Sequence, residues 1–440
     1  MAKRTGYADL PLHVGTVPKW LADRMMQLGT LIVESIILNY GKKEVLIRLS
    51  DPLWFQSFGA VLGMDWHSSG ITTSVMYALK RGLNPRAKEL GICICGGRGK
   101  YSRKTPEELM YLSEKTGLNG SSLVRASRLC AKVDNTAVQD GFQLYQHNFI
   151  LTSGGDWAVV QQGMNSATRT ARRYHWCSSN LRSFVEEPHT GVVGENRGKI
   201  LNLTDSKART TRSTIVDITR ENPDRIIHEV SRMITPAVSI VVPGAAQIPV
   251  QGELFSASNT PSPPELPPAP DTERIETASS RNCVMPTHHD VRAEDVDLKR
   301  LGGVLAAAYE SQPSDFESLL LTPGLGPRTL QSLALVSEVV YGTPSRFTDP
   351  ARYSFAHGGK DGHPFPVPCR IYDETIRVLG DSIEKSKLGD TDKSDCLKRL
   401  YKTTQQIEQN CSPEADFDRT IAREHAHSHE WGGRTVSGEV

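Results

Sequence analysis

Carboxylate and amide side chains gather in one polar stretch of the chain. Asp134 and Asp140 precede the first of two apolar runs, Asp156 lies between the runs, and Gln161 lies in the second. Converging carboxylates bind Mg²⁺ or Mn²⁺, which acidifies a bound water and neutralises charge on a reacting phosphate. The pattern predicts a metal-dependent nuclease centre with the three aspartates as ligands and Gln161 in a catalytic role. The acidic-x-Lys signature of restriction-type nucleases is absent, and the alternative is that the aspartates only cap helix and turn ends.

A second cluster of polar residues lies between Gly63 and Gly70. It contains Asp65 and His67, two residues apart. An aspartate and a histidine at this spacing can share a metal or form an acid–base pair, since histidine titrates near neutrality. Asp65 is therefore a fourth candidate metal ligand, and His67 or His147 is a candidate general base. The alternative is a helix-capping cluster.

Residues 313–342 have the pattern of a helix-hairpin-helix, in which two apolar helices flank a Gly-x-Gly turn. Gly324 and Gly326 permit a tight turn, and Pro327 suits the first position of the second helix. Amides that open a helix point at a phosphate without reading a base. Here those amides belong to Arg328 and Thr329. The pattern predicts DNA backbone binding without strong sequence preference; the alternative is an ordinary packing element.

Two basic stretches flank the acidic one, a glycine-rich loop at 96–104 and residues 169–182. Arginine binds phosphate well, and aromatic side chains can stack on bases. A polar, glycine-rich loop at 354–363 is expected to support the same surface. Either basic stretch alone is more typical of a solvated loop or helix face, but two such stretches around one acidic region favour nucleic-acid binding. The residues predicted to contact nucleic acid, besides the hairpin, are Arg98, Lys100, Arg169, Arg172, Arg173 and Lys360.

Hydrophobic periodicity supplies the elements that must position these residues. Strands are predicted at 91–97, 142–151 and 157–164, and the last two form a β-hairpin around Asp156. Helices are predicted at 18–39, 52–62, 105–118, 121–132, 223–234, 297–311, 314–321, 327–341, 371–388 and 392–409.

Composition limits the class of protein. The 440 residues include 51 basic and 50 acidic side chains, so a nucleic-acid surface must be a local patch. No apolar run is long enough to cross a membrane, and the N-terminus lacks the apolar stretch of a signal peptide. The eight scattered cysteines show no zinc-finger spacing and are expected to be reduced. A cytoplasmic protein without membrane contact is predicted.

The predicted fold class is α+β, in four segments. Residues 1–240 form a mixed α/β domain with a β-hairpin core, which is the catalytic candidate. Residues 241–295 form a linker, because six of the ten residues at 261–270 are proline. Residues 296–410 form an all-helical domain with the helix-hairpin-helix, and residues 411–440 form a polar, disordered tail.

Several long phrases of the chain resemble the bacterial and archaeal family labelled domain of unknown function 763. They include RLSDPLWFQSFGAVLGMDWHSSGITT (48–73), VDNTAVQDGFQLYQHNFIL (133–151) and LLLTPGLGPRTLQSLALVSEVVYG (319–342). The resemblance covers nearly everything except the Pro-rich linker and the tail. It implies a helix-hairpin-helix protein that handles DNA, and it transfers no catalytic residues.

Three functional hypotheses follow. The first is a DNA nuclease that uses Mg²⁺ or Mn²⁺ in repair or processing. The second is a non-catalytic DNA-binding protein of repair or recombination. The third is a DNA glycosylase, whose catalytic acid would be Asp349 or Asp361 downstream of the hairpin; the helical domain is small for a base-flipping pocket. Each of the three hypotheses is compatible with a homodimer.

Overall fold

A computed structural model describes residues 10–11, 17, 19–64, 69–194, 196–234, 298–351 and 369–408. Asp65, His67, Lys360 and Asp361 lie outside the described residues, as do the Pro-rich linker and the tail.

An antiparallel sheet forms the centre of the described chain, with strand order β1-β6-β5-β4-β2 and β7 beside β6. The predicted β-hairpin is confirmed, as is the predicted strand before the glycine-rich loop. A further strand, β6, falls in the basic stretch that was expected to face solvent. The strands of this sheet are β1 (Leu10–Pro11), β2 (Ile92–Arg98), β4 (Gln143–Thr152), β5 (Trp157–Asn165), β6 (Thr170–Cys177) and β7 (Gly191–Val193). A separate pair joins β3 (Val138–Gln139) to β8 (Leu201–Asn202).

Helices cover both faces of the sheet. Every predicted helix is present within a few residues of its expected bounds, and the structure adds α2, α4, α5 and α8. The helices are α1 (Lys19–Tyr40), α2 (Lys42–Ser50), α3 (Pro52–Val61), α4 (Gly70–Leu83), α5 (Ala87–Leu90), α6 (Thr105–Thr116), α7 (Gly120–Lys132), α8 (Arg209–Thr219), α9 (Pro223–Ile234), α10 (Leu298–Ser311), α11 (Phe316–Leu320), α12 (Pro327–Val339), α13 (Cys369–Glu384) and α14 (Asp390–Glu408). A single π-helical turn, Val133–Ala137, joins α7 to β3.

Two hydrophobic cores lie on opposite faces of the sheet, because neighbouring residues of a strand point in opposite directions. Val159 belongs to one core and Val160 to the other. The first core continues into α6–α12, and the second into α1–α4, α13 and α14. Each core therefore contains residues from both sides of the predicted linker, so the predicted domains do not coincide with separate cores.

The α+β class is confirmed, and every named element among the described residues from 298 onward is a helix. No helix in the described part of the chain is both long and apolar enough to cross a membrane.

Candidate nucleic-acid interface

The glycine-rich turn at 321–326 joins α11 to α12 on the surface of the protein; we call this unit the α11–α12 hairpin. Asp315 caps α11 by accepting a hydrogen bond from the Ser318 amide at 2.7 Å. Within the turn, the amide of Leu325 donates to the carbonyl of Thr322 at 3.2 Å. Gly324 is exposed and has a φ of +79°, which is the left-handed region that favours glycine. Of the two glycines, only Gly324 requires this conformation, because Gly326 has an extended backbone.

Two side chains of the sheet-containing part hold this turn in place. Lys132 donates to the carbonyl of Leu325 at 2.6 Å, and Gln139 donates to the carbonyl of Pro327 at 2.8 Å. In a trans peptide the carbonyl and the amide point in opposite directions. The amides of Gly326 and Arg328 consequently point away from Lys132 and Gln139, towards the exposed side of the turn.

The start of α12 has no side chain to cap it, since Gly326 is its N-cap residue. Pro327 occupies the first helical position, as predicted. The positive end of the helix dipole therefore meets the exposed side of the turn, where Pro327 and Arg328 are exposed and Thr329 is buried. A phosphate oxygen is the ligand that such a helix start favours.

A row of basic side chains on α7 runs beside the α11–α12 hairpin. Arg125, Arg128 and Lys132 recur at intervals of three and four residues, so they share one helix face. Arg125 forms an ion pair with Glu317 of α11 at 2.8 Å, and Arg128 is exposed. Burial lowers the pKa of Lys132 from its ordinary value.

The predicted basic loop follows β2 directly; we call residues 98–104 the basic loop. Arg98, Lys100, Arg103 and Lys104 are all exposed. Gly96 anchors its base, because the Gly96 amide donates to Glu108 at 2.8 Å and its carbonyl accepts from Lys80 at 2.7 Å. The side chains of Arg98 and Lys100 therefore lie on the surface of the protein.

The turn between β5 and β6 lies at the same end of the sheet as the basic loop. Strand register pairs Arg98 with Gln146 near the start of β4, and Asn165 with Thr170 across the β5–β6 turn. Arg169, in that turn, is exposed and has a φ of +55°. The structure therefore brings two of the predicted contact regions, the basic loop and Arg169, to one end of the sheet.

Arg172 and Arg173 require a correction, because both side chains are fully buried and cannot contact DNA in this conformation. The basic stretch that contains them is strand β6. Consecutive residues of a strand point to opposite faces of the sheet. Arg172 and Arg173 therefore face different cores, and each has its own set of neighbours.

Arg172 bridges two buried carboxylates. It lies 2.9 Å from Asp140 and 2.7 Å from Asp349, and the Tyr174 hydroxyl also donates to Asp140 at 2.6 Å. Burial alone would lower the pKa of Arg172, but Asp349 and Asp140 raise it above its ordinary value. Asp140 was predicted as a metal ligand and Asp349 as a glycosylase acid. Asp140 instead holds β6 to the connection between β3 and β4, and Asp349 holds β6 to the segment after the α11–α12 hairpin.

Arg173 is surrounded by neutral partners on the opposite face of the sheet. Its guanidinium donates to His175 Nε2 at 2.8 Å and to Gln56 Oε1 at 2.9 Å, and it lies over the Phe55 ring. Burial lowers the pKa of Arg173 to about 9. Arg173 therefore serves the interior of the protein rather than its surface.

Asp134 is the centre of a buried hydrogen-bond network. It accepts hydrogen bonds from Gln161 and from the Trp176 indole, and it lies 2.5 Å from His189 Nε2. His147 extends the network, since its Nδ1 lies 2.6 Å from Gln161 Oε1 and its Nε2 lies 2.9 Å from the Ser127 hydroxyl. Burial lowers the pKa of His147, which keeps the ring neutral.

Sequence patterns gave no indication of His189, which lies in an irregular loop far along the chain from Asp134. Its side chain is slightly exposed, while Asp134 is fully buried. A buried carboxylate behind an imidazole orients the ring and stabilises its protonated form, as in a general base. Two of the predicted catalytic residues, Gln161 and His147, belong to the hydrogen-bond network around Asp134.

Three of the four predicted metal ligands lie in the described part of the chain, and these three do not converge. Asp134 and Asp140 are engaged by separate sets of donors, and Asp156 forms an ion pair with Lys43 at 3.3 Å in the β4–β5 turn, at the other end of the sheet from the basic loop. The described residues contain no group of three or more His, Cys, Asp or Glu side chains that could hold a metal ion. Asp134, Asp140 and Asp156 thus do not fit the predicted Mg²⁺ or Mn²⁺ site.

Comparison with known proteins gives a family without a described activity. The family model described as "Protein of unknown function (DUF763)" matches residues 6–367. No curated protein and no solved structure gives a significant match. Since the family match spans well over half of the 440 residues, the chain belongs to the DUF763 family.

Proposed function

We propose that the protein binds the sugar–phosphate backbone of DNA through the α11–α12 hairpin. The observation that carries this proposal is the orientation of the turn, whose carbonyls are held inward by Lys132 and Gln139 while the amides of the α12 start point outward. The helix dipole and nearby cations favour a phosphate at this position.

Contacts to the backbone carry no base information, so binding is expected to be similar for duplexes of different sequence. The net charge of the whole chain is only +1, so the attraction would come from cations beside the hairpin, such as Arg128 on α7 and Arg328 at the start of α12. Affinity should fall steeply with salt, because phosphate binding releases condensed counterions.

Fluorescence anisotropy with two blunt duplexes of equal length and unrelated sequence tests the proposal. Both duplexes should bind at low ionic strength with similar affinity, and binding should persist in EDTA. Gly324→Val should weaken both equally, since valine disfavours the left-handed backbone and its Cβ would lie about 3.3 Å from Val304. Gly303→Ala, on α10 with open space around it, is the matched control and should leave binding unchanged. Absence of binding by the wild type would refute the proposal.

We propose phosphodiester hydrolysis as a second candidate activity, favoured by the paired Asp134 and His189. His189 would accept a proton from the water that attacks phosphorus, and Asp134 would stabilise the resulting imidazolium. The imidazolium would then return the proton to the ester oxygen that leaves phosphorus, which restores neutral His189. Plasmid DNA incubated with the protein, with and without Mg²⁺ or Mn²⁺, provides the assay. His189→Gln should abolish any cleavage, whereas His228→Gln, on α9, should not. Equal cleavage by both variants and the wild type would exclude this role for His189.

A further inference from the structure

Two tyrosine rings near the C-terminal end of β2 each lie close to a basic side chain. The guanidinium of Arg98 lies 5.9 Å from the ring centre of Tyr145, and the ammonium of Lys100 lies 5.5 Å from that of Tyr101. Tyr101 is 52% exposed, although tyrosine rings usually pack against other residues. An exposed ring among phosphate-binding cations is the arrangement on which unpaired bases stack.

The local backbone holds Tyr101 in this position. Gly97 has a φ of +150°, and a Cβ at this residue would lie 3.2 Å from the Cβ of Tyr101. Thr105 and Ser102 close the loop through hydrogen bonds at 2.8 Å and 2.6 Å, to the carbonyls of Ser102 and Gly99 respectively. Ordering the loop in advance lowers the entropic cost of stacking a base on Tyr101.

A short series of contacts connects the basic loop to the α11–α12 hairpin. Lys132, at the end of α7, holds the carbonyl of Leu325 in the hairpin. Three residues later, Asn135 accepts a hydrogen bond from the amide of Leu144 at 3.3 Å. On the same face of the sheet, Gly97 at the base of the basic loop pairs with His147, and His147 contacts Ser127 of α7 at 2.9 Å. The basic loop and the hairpin therefore both adjoin the unit formed by α7 and the start of β4.

Resting on the proposed DNA binding, we infer that the basic loop binds single-stranded DNA that extends from a duplex held by the α11–α12 hairpin. The first unpaired base stacks on Tyr101, and Lys100, Arg103 and Lys104 bind the adjoining phosphates. The preferred substrate class is a junction between duplex and single strand, because only such DNA occupies both surfaces at once.

Anisotropy titrations with three probes test this inference: a blunt duplex, the same duplex with a single-stranded extension, and the extension alone. The extended duplex should bind at least tenfold more tightly than the blunt one, because stacking one base contributes a factor of this order. Tyr101→Ala should remove most of this preference while leaving blunt-duplex affinity unchanged, and Tyr101→Trp should retain it. Tyr401→Ala on α14, which removes a similarly exposed tyrosine, is the matched control.

The outcomes separate this inference from the proposed function. If the blunt duplex binds but the extension adds nothing, or if Tyr101→Ala and Tyr401→Ala behave alike, the junction assignment is wrong and hairpin binding stands. If the extension alone binds and the blunt duplex does not, the α11–α12 hairpin is not the duplex site and both assignments fail. Circular dichroism shows whether Tyr101→Ala is folded. If it is not, the preference of Tyr101→Trp for the extended duplex decides the result.

Discussion

At the scale of single residues, the most consequential side chains are charged groups in the interior. Sequence patterns predicted that the arginines at 172 and 173 contact nucleic acid, because arginine next to aromatic residues is typical of such surfaces. The structure instead places them on a central strand, where Arg172 forms ion pairs with Asp140 and Asp349. A single sequence does not distinguish these cases, since the deciding partner, Asp349, lies far along the chain.

Arg172→Met should strongly destabilise the protein. The substitution leaves Asp140 and Asp349 buried without a counter-charge, which typically costs about 3–5 kcal/mol. Arg169→Met, three residues earlier in an exposed turn, should change the free energy of unfolding by less than about 0.5 kcal/mol. Urea denaturation followed by circular dichroism measures both. Similar stability of the two variants would show that the buried ion pairs do not support the fold.

Stability should decrease as the pH falls below 6.5, because two buried histidines resist protonation. Burial lowers the pKa of His147, and burial together with Arg173 lowers that of His175 well below 6.5. The unfolded chain therefore binds more protons in this range, and each histidine reduces the free energy of unfolding by up to about 1.4 kcal/mol per pH unit. His175→Gln should show a smaller loss between pH 7 and pH 5.5 in urea denaturation; an unchanged loss would contradict this assignment.

At the scale of elements, regular periodicity was a reliable guide. The β4–β5 hairpin and the predicted helices are present because their apolar residues recur at the period of the element that they form. Strand β6 was missed because both of its faces carry charged or aromatic residues, so no apolar alternation marks it. No predicted helix or strand covers the π-helical turn at 133–137, whose Asp134 accepts a hydrogen bond from the distant Trp176 indole.

The position of the α11–α12 hairpin depends on Gln139, so Gln139→Leu should weaken DNA binding without changing charge. It removes the hydrogen bond to the Pro327 carbonyl and should cost about 1 kcal/mol of stability. Affinity for a blunt duplex should fall several-fold, while its dependence on salt stays the same because no cation is lost. If Gln139→Leu binds the duplex with wild-type affinity in anisotropy titrations, the turn needs no support from β3.

At the scale of the whole molecule, the two cores join parts of the chain that sequence analysis assigned to separate domains. Leu301, Leu319 and Leu333 complete the first core, and Leu379 and Ile383 contribute to the second. The Pro-rich stretch marks a change in composition, but composition does not reveal which helices pack on which face of the sheet.

A chain that ends at residue 240 should therefore fail to fold. It would expose the apolar surfaces that α10–α14 cover, and exposing apolar area costs about 25 cal/mol per Å². Circular dichroism and size-exclusion chromatography should show aggregation or loss of a cooperative transition, whereas the full chain unfolds cooperatively. A monomeric, cooperatively folding fragment would establish an independent domain before the linker.

The salt dependence of duplex binding tests the central claim most directly. A blunt duplex is titrated by anisotropy between 50 and 200 mM salt, conditions in which phosphate contacts dominate affinity. Arg328→Gln, at the exposed start of α12, should weaken binding and reduce the slope of log affinity against log salt by about one. Lys398→Gln, an exposed cation on α14, should change neither quantity. Identical slopes and affinities for Arg328→Gln and the wild type would contradict backbone binding by the α11–α12 hairpin.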